Sequence, residues 1–84
     1  MTPGDFLRKA RESAGMNQDT LAKRLEISRS TVLEAERDVR VPPLDRLFAW
    51  ADATGVDRQW LVENVRLTAS RRAAFTVVPV GDRR

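Results

Sequence analysis

The segment from Asn17 to Arg37 constrains the fold of this chain more than any other stretch. Its apolar and small residues recur at the spacing of helices that are buried along one side, and Glu26-Ile27 interrupts them as a tight turn. Asn17 and Ser28 are suitable caps for the two helices. The residues expected to pack inward are Leu21, Ala22, Leu25, Ile27, Val32 and Ala35. The segment therefore predicts a rigid helix pair with one dry side and one polar side.

Three further helices are predicted around this pair. Thr2 caps the first helix of the chain, with Asp5 at the position of a capping-box acid. A fourth helix begins after Pro42-Pro43, and Asp57 caps a short fifth. Five helices in residues 1–63, with no credible strand among them, predict an all-α bundle. Trp50 and Trp60 are expected in its core.

The tail differs from the rest of the chain. Residues 64–84 hold five Arg and one Asp, a net charge of +4, whereas residues 1–63 hold ten Lys and Arg and eleven Asp and Glu, a net charge of −1. We therefore divide the chain into a domain at 1–63 and a basic tail at 64–84, with a polar break at 70–72. The β-branched stretch 75–80 predicts a short strand that pairs with its copy in a second subunit or lies unpaired. A helix extension and a disordered tail stay open as alternatives.

Several spaced sequence words resemble the helix-turn-helix of the Xre family, which includes the lambda-type repressor and Cro proteins. They are Arg11, Gly15-Met16-Asn17-Gln18, Leu21-Ala22, Leu25, Ser28-Arg29-Ser30-Thr31-Val32, Glu36-Arg37, Pro42, Leu47, Val56 and Trp60-Leu61. The resemblance covers about residues 4–62. It implies a five-helix lambda-repressor-like bundle that binds an operator as a dimer, and a structural ion pair between Arg11 and Glu36.

The chain departs from the family pattern at three places. The family usually has glycine where this chain has Glu26 and Asp38, and an aliphatic residue where it has Thr54. If Glu26 is left-handed, the strain amounts to about 1 kcal/mol. None of the three departures falls on the polar side of the helix pair.

In the second helix of the pair, which begins after Ser28, the polar side predicts contacts with bases in a DNA major groove. Arg29 suits guanine, because it can reach O6 and N7 with two parallel hydrogen bonds. Ser30 suits a base edge or a phosphate. Leu33 suits a thymine methyl group or is covered by a neighbouring loop. Glu34 either accepts from a cytosine or pairs with Arg37 or Ser30.

Contacts with DNA phosphates are predicted at the helix starts and around the loop that follows the second helix of the pair. For Lys23, simple solvation on an exposed helix face is an equal alternative. The predicted phosphate contacts are Asn17, Gln18, Lys23, Thr31, Arg37 and Arg40.

One helix pair reads too few base pairs for genomic specificity, so a homodimer on a palindromic operator is expected. Its interface is predicted from the apolar residues late in the chain, which are Leu61, Val62, Val65, Phe75, Val77 and Val78. The resulting hypothesis is a sequence-specific regulator of transcription, of the repressor kind. The alternative is a protein-interaction module or antitoxin whose tail docks a partner protein.

Composition excludes several other classes of function. The chain has no cysteine and no histidine, which removes the usual nucleophile, general base and metal ligands. We therefore expect no enzyme, and no metal, cofactor or small-molecule site. No apolar run is long enough to span a membrane, and the N-terminus lacks a secretory h-region. A bacterial or phage-encoded protein of the cytoplasm, on the nucleoid when bound to DNA, is expected.

Overall fold

The computed structural model describes the backbone of residues 1–77 and the side chains of residues 1–71. Within residues 1–77 it has five α-helices and no strand, as the sequence predicts. The helices are α1 (Pro3–Ser13), α2 (Gln18–Leu25), α3 (Arg29–Glu36), α4 (Leu44–Thr54) and α5 (Arg58–Val77). None of these helices is long and apolar enough to cross a membrane.

Local hydrogen bonds fix where the helices begin. Thr2 and Asp5 form the predicted capping box at the start of α1. The side chains of Asn17 and Ser28 accept from the third backbone N–H of α2 and α3 respectively. Asp57 accepts from Trp60 N at 2.8 Å and so caps α5. These bonds satisfy N–H groups that a helix start leaves without an intrahelical partner.

The core lies where all five helices meet. Its fully buried large side chains include Leu7, Leu21, Val32, Leu47, Trp50 and Leu61. Burial of each such side chain contributes roughly 1.5–3 kcal/mol before the entropy of ordering it. The indole N–H of Trp50 donates to the carbonyl oxygen of Leu7 at 3.2 Å, so its one polar atom is satisfied. Thr54 is also buried, and its hydroxyl donates to the carbonyl oxygen of Trp50 at 2.8 Å.

The start of α1 packs directly on the end of α3. A side-chain carbon at Gly4 would overlap the carbonyl oxygen of Glu36, so glycine is required for this approach. Asp38, which follows α3 in a left-handed conformation (φ 65°), accepts from Gly4 N at 2.8 Å. Asp38 therefore fixes the loop after α3 against the start of α1.

The fifth helix agrees with the helix extension that the sequence left open for part of the tail. It runs 20 residues without interruption, so the expected polar break at 70–72 does not end it, whereas the division of the chain at 63/64 into a domain and a basic tail stays a prediction. It also covers residues 75–77, where a strand was predicted; residues 78–80 lie outside the described residues. Val65 and Thr68 are buried against the bundle and extend the helix beyond its first turns. Adding residues to a helix already formed is easier than starting one, so local β propensity does not prevail at 75–77.

Candidate nucleic-acid interface

The outer edge of α3 is exposed to solvent, and its inner edge is buried against the core. Val32 is fully buried and Ala35 nearly so, which fixes the helix from behind. Arg29 and Ser30 are exposed on the other edge. Leu33 and Glu34 are half-buried beside them. The four predicted base-contacting residues are therefore accessible from one side of the helix. Because the helix is already fixed against the core, binding does not have to order it.

The turn between α2 and α3 fixes the angle at which the two helices meet. Glu26 ends α2 in the left-handed conformation, with φ 58° and ψ 43°. The backbone N–H of Ile27 donates to the carbonyl oxygen of Ala22 at 3.0 Å, which closes the turn. Leu25 and Ile27 pack against the core, so the turn cannot open without exposing them. The strain expected at Glu26 is therefore present and is held by these contacts.

A buried ion pair joins α1 to the end of α3. Arg11 Nε donates to Glu36 Oε2 at 2.7 Å, and Arg11 Nη2 donates to Oε1 at 3.0 Å. Arg11 Nη1 donates to the carbonyl oxygen of Met16 at 2.9 Å. The Glu36 side chain is only 4% exposed, and its hydrogen bonds raise the pKa of Arg11 above its ordinary value. The geometry is thus that of the structural pair that the sequence resemblance implies.

Gln18 connects the first residue of α2 to the same ion pair. Its Nε2 atom donates to Glu36 Oε1 at 3.2 Å, so the side-chain amide braces the end of α3. Asn17 uses its side-chain oxygen as the cap of α2 and is exposed. Together with Arg11, Asp19 and Arg29, these two residues line a shallow recess of about 410 Å³ at the start of α2. The start of α2, the ion pair and the start of α3 therefore meet at one place on the surface.

A second recess of about 410 Å³ lies between α3 and the loop that follows it, and its lining includes Thr31, Glu34, Arg40 and Arg46. Glu34 Oε1 is 3.7 Å from Arg40 Nε, so its ionic partner is Arg40 and not Arg37. Sequence reasoning missed Arg46, although its position in the first turn of α4, just after two prolines, places it beside the loop. The recess brings two cations and a hydroxyl together beside this loop.

Two of the three remaining predicted phosphate contacts are exposed, and the third is half-buried. Lys23 lies on α2 and Arg37 immediately after α3, and both are exposed. Thr31 is half-buried, and its hydroxyl is 2.8 Å from the Ser28 hydroxyl. The hydroxyl of Thr31 is therefore already engaged with the cap of α3.

The structure corrects two of the predicted dimer residues. Leu61 and Val65 are fully buried within the monomer, and Val62 packs against the same core, because α5 turns this face toward α1 and α4. The side chains of residues 75 and 77, and the whole of residue 78, lie outside the described residues.

Two other residues of α5 are accessible instead. Trp60 is 38% exposed, so it lies at the rim and not inside the core as expected. Its ring packs roughly perpendicular to that of Phe6, with the ring centroids 5.8 Å apart. Leu67 is 50% exposed.

Comparison with known protein families agrees with this geometry. A family model described as helix-turn-helix, of the Xre and lambda-repressor-like kind, matches residues 7–61. The chain belongs to this helix-turn-helix family. No significant match was found among curated proteins or among solved structures.

The matched range begins within α1 and ends within α5, so it contains the whole of α2, α3 and α4. The family is one of DNA-binding regulators, and it is not an enzyme family. DNA is therefore the partner of the helix-turn-helix, and the protein is a regulator of transcription in the general sense of its family.

Proposed function

We propose that this protein is a repressor that acts in the bacterial cytoplasm by occupying a palindromic operator as a homodimer. The observation that carries the proposal is that α3 is buried along its inner edge at Val32 and exposed to solvent along its outer edge at Arg29 and Ser30. A helix held in this way can enter a major groove without losing further conformational freedom on binding. Repression follows if the bound protein excludes polymerase from an overlapping promoter.

In the proposed complex, residues of α3 read bases and the flanking cations hold the backbone. Arg29 is the candidate for guanine, Ser30 for a base edge and Leu33 for a thymine methyl group. Glu34 accepts from a cytosine amino group or keeps Arg40 in place, and its 3.7 Å separation from Arg40 favours the second role.

Phosphates are contacted from the two ends of the helix-turn-helix. The proposed contacts are Asn17, Gln18, Lys23, Thr31, Arg37 and Arg40, and the second recess adds Arg46 to them.

The proposed dimer rests on the length of α3 and on the exposed side of α5. Eight residues of α3 extend over roughly 12 Å, which is about one third of a DNA turn. Two copies related by a two-fold axis place their α3 helices about 34 Å apart on one face of the duplex. On α5, Trp60 and Leu67 are seven residues apart and share one face.

Charge on α5 favours an antiparallel pairing of the two copies. With Leu67 against its own copy, Glu63 of one chain comes opposite Arg71 of the other, and both of these residues are exposed. The variant Leu67→Glu should sediment as a monomer, whereas wild-type protein should sediment as a dimer. A wild-type protein that stays monomeric even on selected DNA contradicts the dimer.

In vitro selection of bound duplexes tests the function itself. The expected result is an inverted repeat whose half-site centres are one helical turn apart. Arg29→Ala should relax preference at one base position of each half-site, by about 1–3 kcal/mol. Arg40→Ala should weaken binding to all sequences alike and lower the salt slope by about one. Equal effects of both variants on every sequence would show that the division into base and phosphate contacts is wrong.

A further inference from the structure

Asp19 and Arg29 face each other across the space between the starts of α2 and α3. Arg29 Nε lies 3.7 Å from Asp19 Oδ1, and each side chain is 65% exposed. This separation is too long for a hydrogen bond. By contrast, Arg58 Nη2 is 2.6 Å from Asp52 Oδ2 in another exposed pair of the same protein. The contact between Asp19 and Arg29 is therefore a loose electrostatic one, which a competing anion can displace.

Asp19 stands where the fold would otherwise attract an anion. It is the second residue of α2, and the first backbone N–H groups of a helix favour negative charge. It lines the recess at the start of α2, in which Arg11 and Arg29 are the cations. The Arg11 guanidinium is committed to Glu36, whereas Arg29 has only the loose contact. The Asp19 carboxylate thus lies beside the more loosely held of the two arginines in this recess, at the place where a DNA phosphate would approach.

We propose that Asp19 competes with DNA phosphates for Arg29 and so lowers the affinity of the protein for arbitrary sequence. This inference rests on the proposed DNA-binding function. The Asp19 contact is made to Nε of Arg29 and leaves the two Nη groups for O6 and N7 of guanine, which are uncharged acceptors. A phosphate is instead a second anion, and it must compete with Asp19 for a guanidinium whose charge Asp19 already offsets. Asp19 therefore weakens the contact of Arg29 with a backbone phosphate more than its contact with a cognate base. Asp19 determines specificity through Arg29 without contacting a base.

The distribution of charge supports this role. Residues 1–63 carry a net charge of −1, so the helix-turn-helix has no general excess of cations with which to hold DNA. The same loose arrangement recurs at the other end of α3, where Glu34 Oε1 is 3.7 Å from Arg40 Nε. Sequence-independent affinity grows with the number of phosphates that free cations neutralise. Acids placed beside the outward arginines keep that number low.

Salt titration of binding to a random duplex tests the proposal with Asp19→Asn, which keeps the size of the side chain and removes its charge. At about 0.1 M salt, the variant should bind the random duplex about 3- to 8-fold more tightly, with a salt slope steeper by about one. Affinity for the duplex recovered by in vitro selection should rise less, so the specificity ratio should fall. Asp52→Asn is the matched control, because it makes the same charge change in an exposed arginine pair on α4 and α5. Asp52→Asn should leave the salt slope of random-duplex binding unchanged.

The same substitution in an Arg29→Ala background separates competition from general repulsion. If Asp19 acts through Arg29, Asp19→Asn should have no effect on random-duplex binding once Arg29 is absent. An effect that persists in that background, or that Asp52→Asn reproduces, overturns the proposal. The proposal is also overturned if Asp19→Asn binds the random duplex with the same affinity and salt slope as wild-type protein while wild-type binding is salt-dependent. Wild-type protein that binds no duplex in a salt-dependent way would instead contradict the proposed function itself.

Discussion

Removal of the Arg11 guanidinium should destabilise the whole domain, although Arg11 is distant in sequence from α3. Arg11→Met keeps the apolar stem and deletes two hydrogen bonds to Glu36 and one to the carbonyl oxygen of Met16. It leaves a carboxylate that is 4% exposed and lies in the last residue of α3, where the helix dipole disfavours negative charge. An uncompensated buried charge of this kind costs about 3–5 kcal/mol.

This magnitude is large beside the expected stability of the protein. A chain of 84 residues should have a free energy of unfolding of roughly 4–13 kcal/mol. For a domain of this size, each kcal/mol lowers Tm by about 4–8 °C, so the expected fall is at least about 12 °C. Urea unfolding followed by circular dichroism, at one fixed protein concentration, measures the change directly. The concentration must be fixed because dimerisation would contribute to apparent stability.

Two control variants make this prediction specific to the buried pair. Arg8→Met makes the same substitution in an exposed α1 pair, where Arg8 Nη2 is 3.0 Å from Asp5 Oδ1, and should cost far less stability than Arg11→Met. The double variant Arg11→Met with Glu36→Leu removes both buried charges and should recover most of the lost stability. The reasoning is refuted if Arg11→Met is as mild as Arg8→Met, or if the double variant is no more stable than Arg11→Met alone.

Three further substitutions test other parts of the fold. Gly4→Ala should cost more than about 2 kcal/mol in urea unfolding, because its new carbon meets the backbone of Glu36, and a wild-type midpoint would contradict that contact. Glu26→Gly should stabilise by up to about 1 kcal/mol by relieving the left-handed turn, and a loss of stability would show that the turn is unstrained. Hydrogen bonds from Arg58 lower the pKa of Asp52, so this pair contributes stability above about pH 3.8 that is lost as the pH falls through the lowered value. Asp52→Asn should flatten the stability profile in that acid range, and an unchanged profile would mean that the pair is absent in solution.

The sequence was sufficient to predict the helix-turn-helix, the residues that cap its helices and the side of α3 that is buried. Cap residues such as Thr2, Asn17 and Ser28 have local, short-range roles, so their positions alone locate three helix starts. The burial of Val32 and the exposure of Arg29 follow from helical periodicity in the same way.

Features that depend on distant contacts were not predicted from the sequence. Local propensity at 75–77 favours a strand, but a helix already extended by the burial of Val65 and Thr68 continues through it. The contact between Asp19 and Arg29 joins two helices across a turn, and no spacing rule within one helix reveals it. The burial of Leu61 likewise depends on how α5 is rotated against the bundle.

The central claim is that the outer edge of α3 enters the groove of duplex DNA. Titration of ¹⁵N-labelled protein with a selected duplex tests it most directly, because NMR reports every backbone amide separately. The account predicts that the largest chemical-shift changes cluster at residues 28–34 and at 17–18, with small changes over residues 58–71 of α5. The largest changes on α5, with residues 28–34 unaffected, would contradict it.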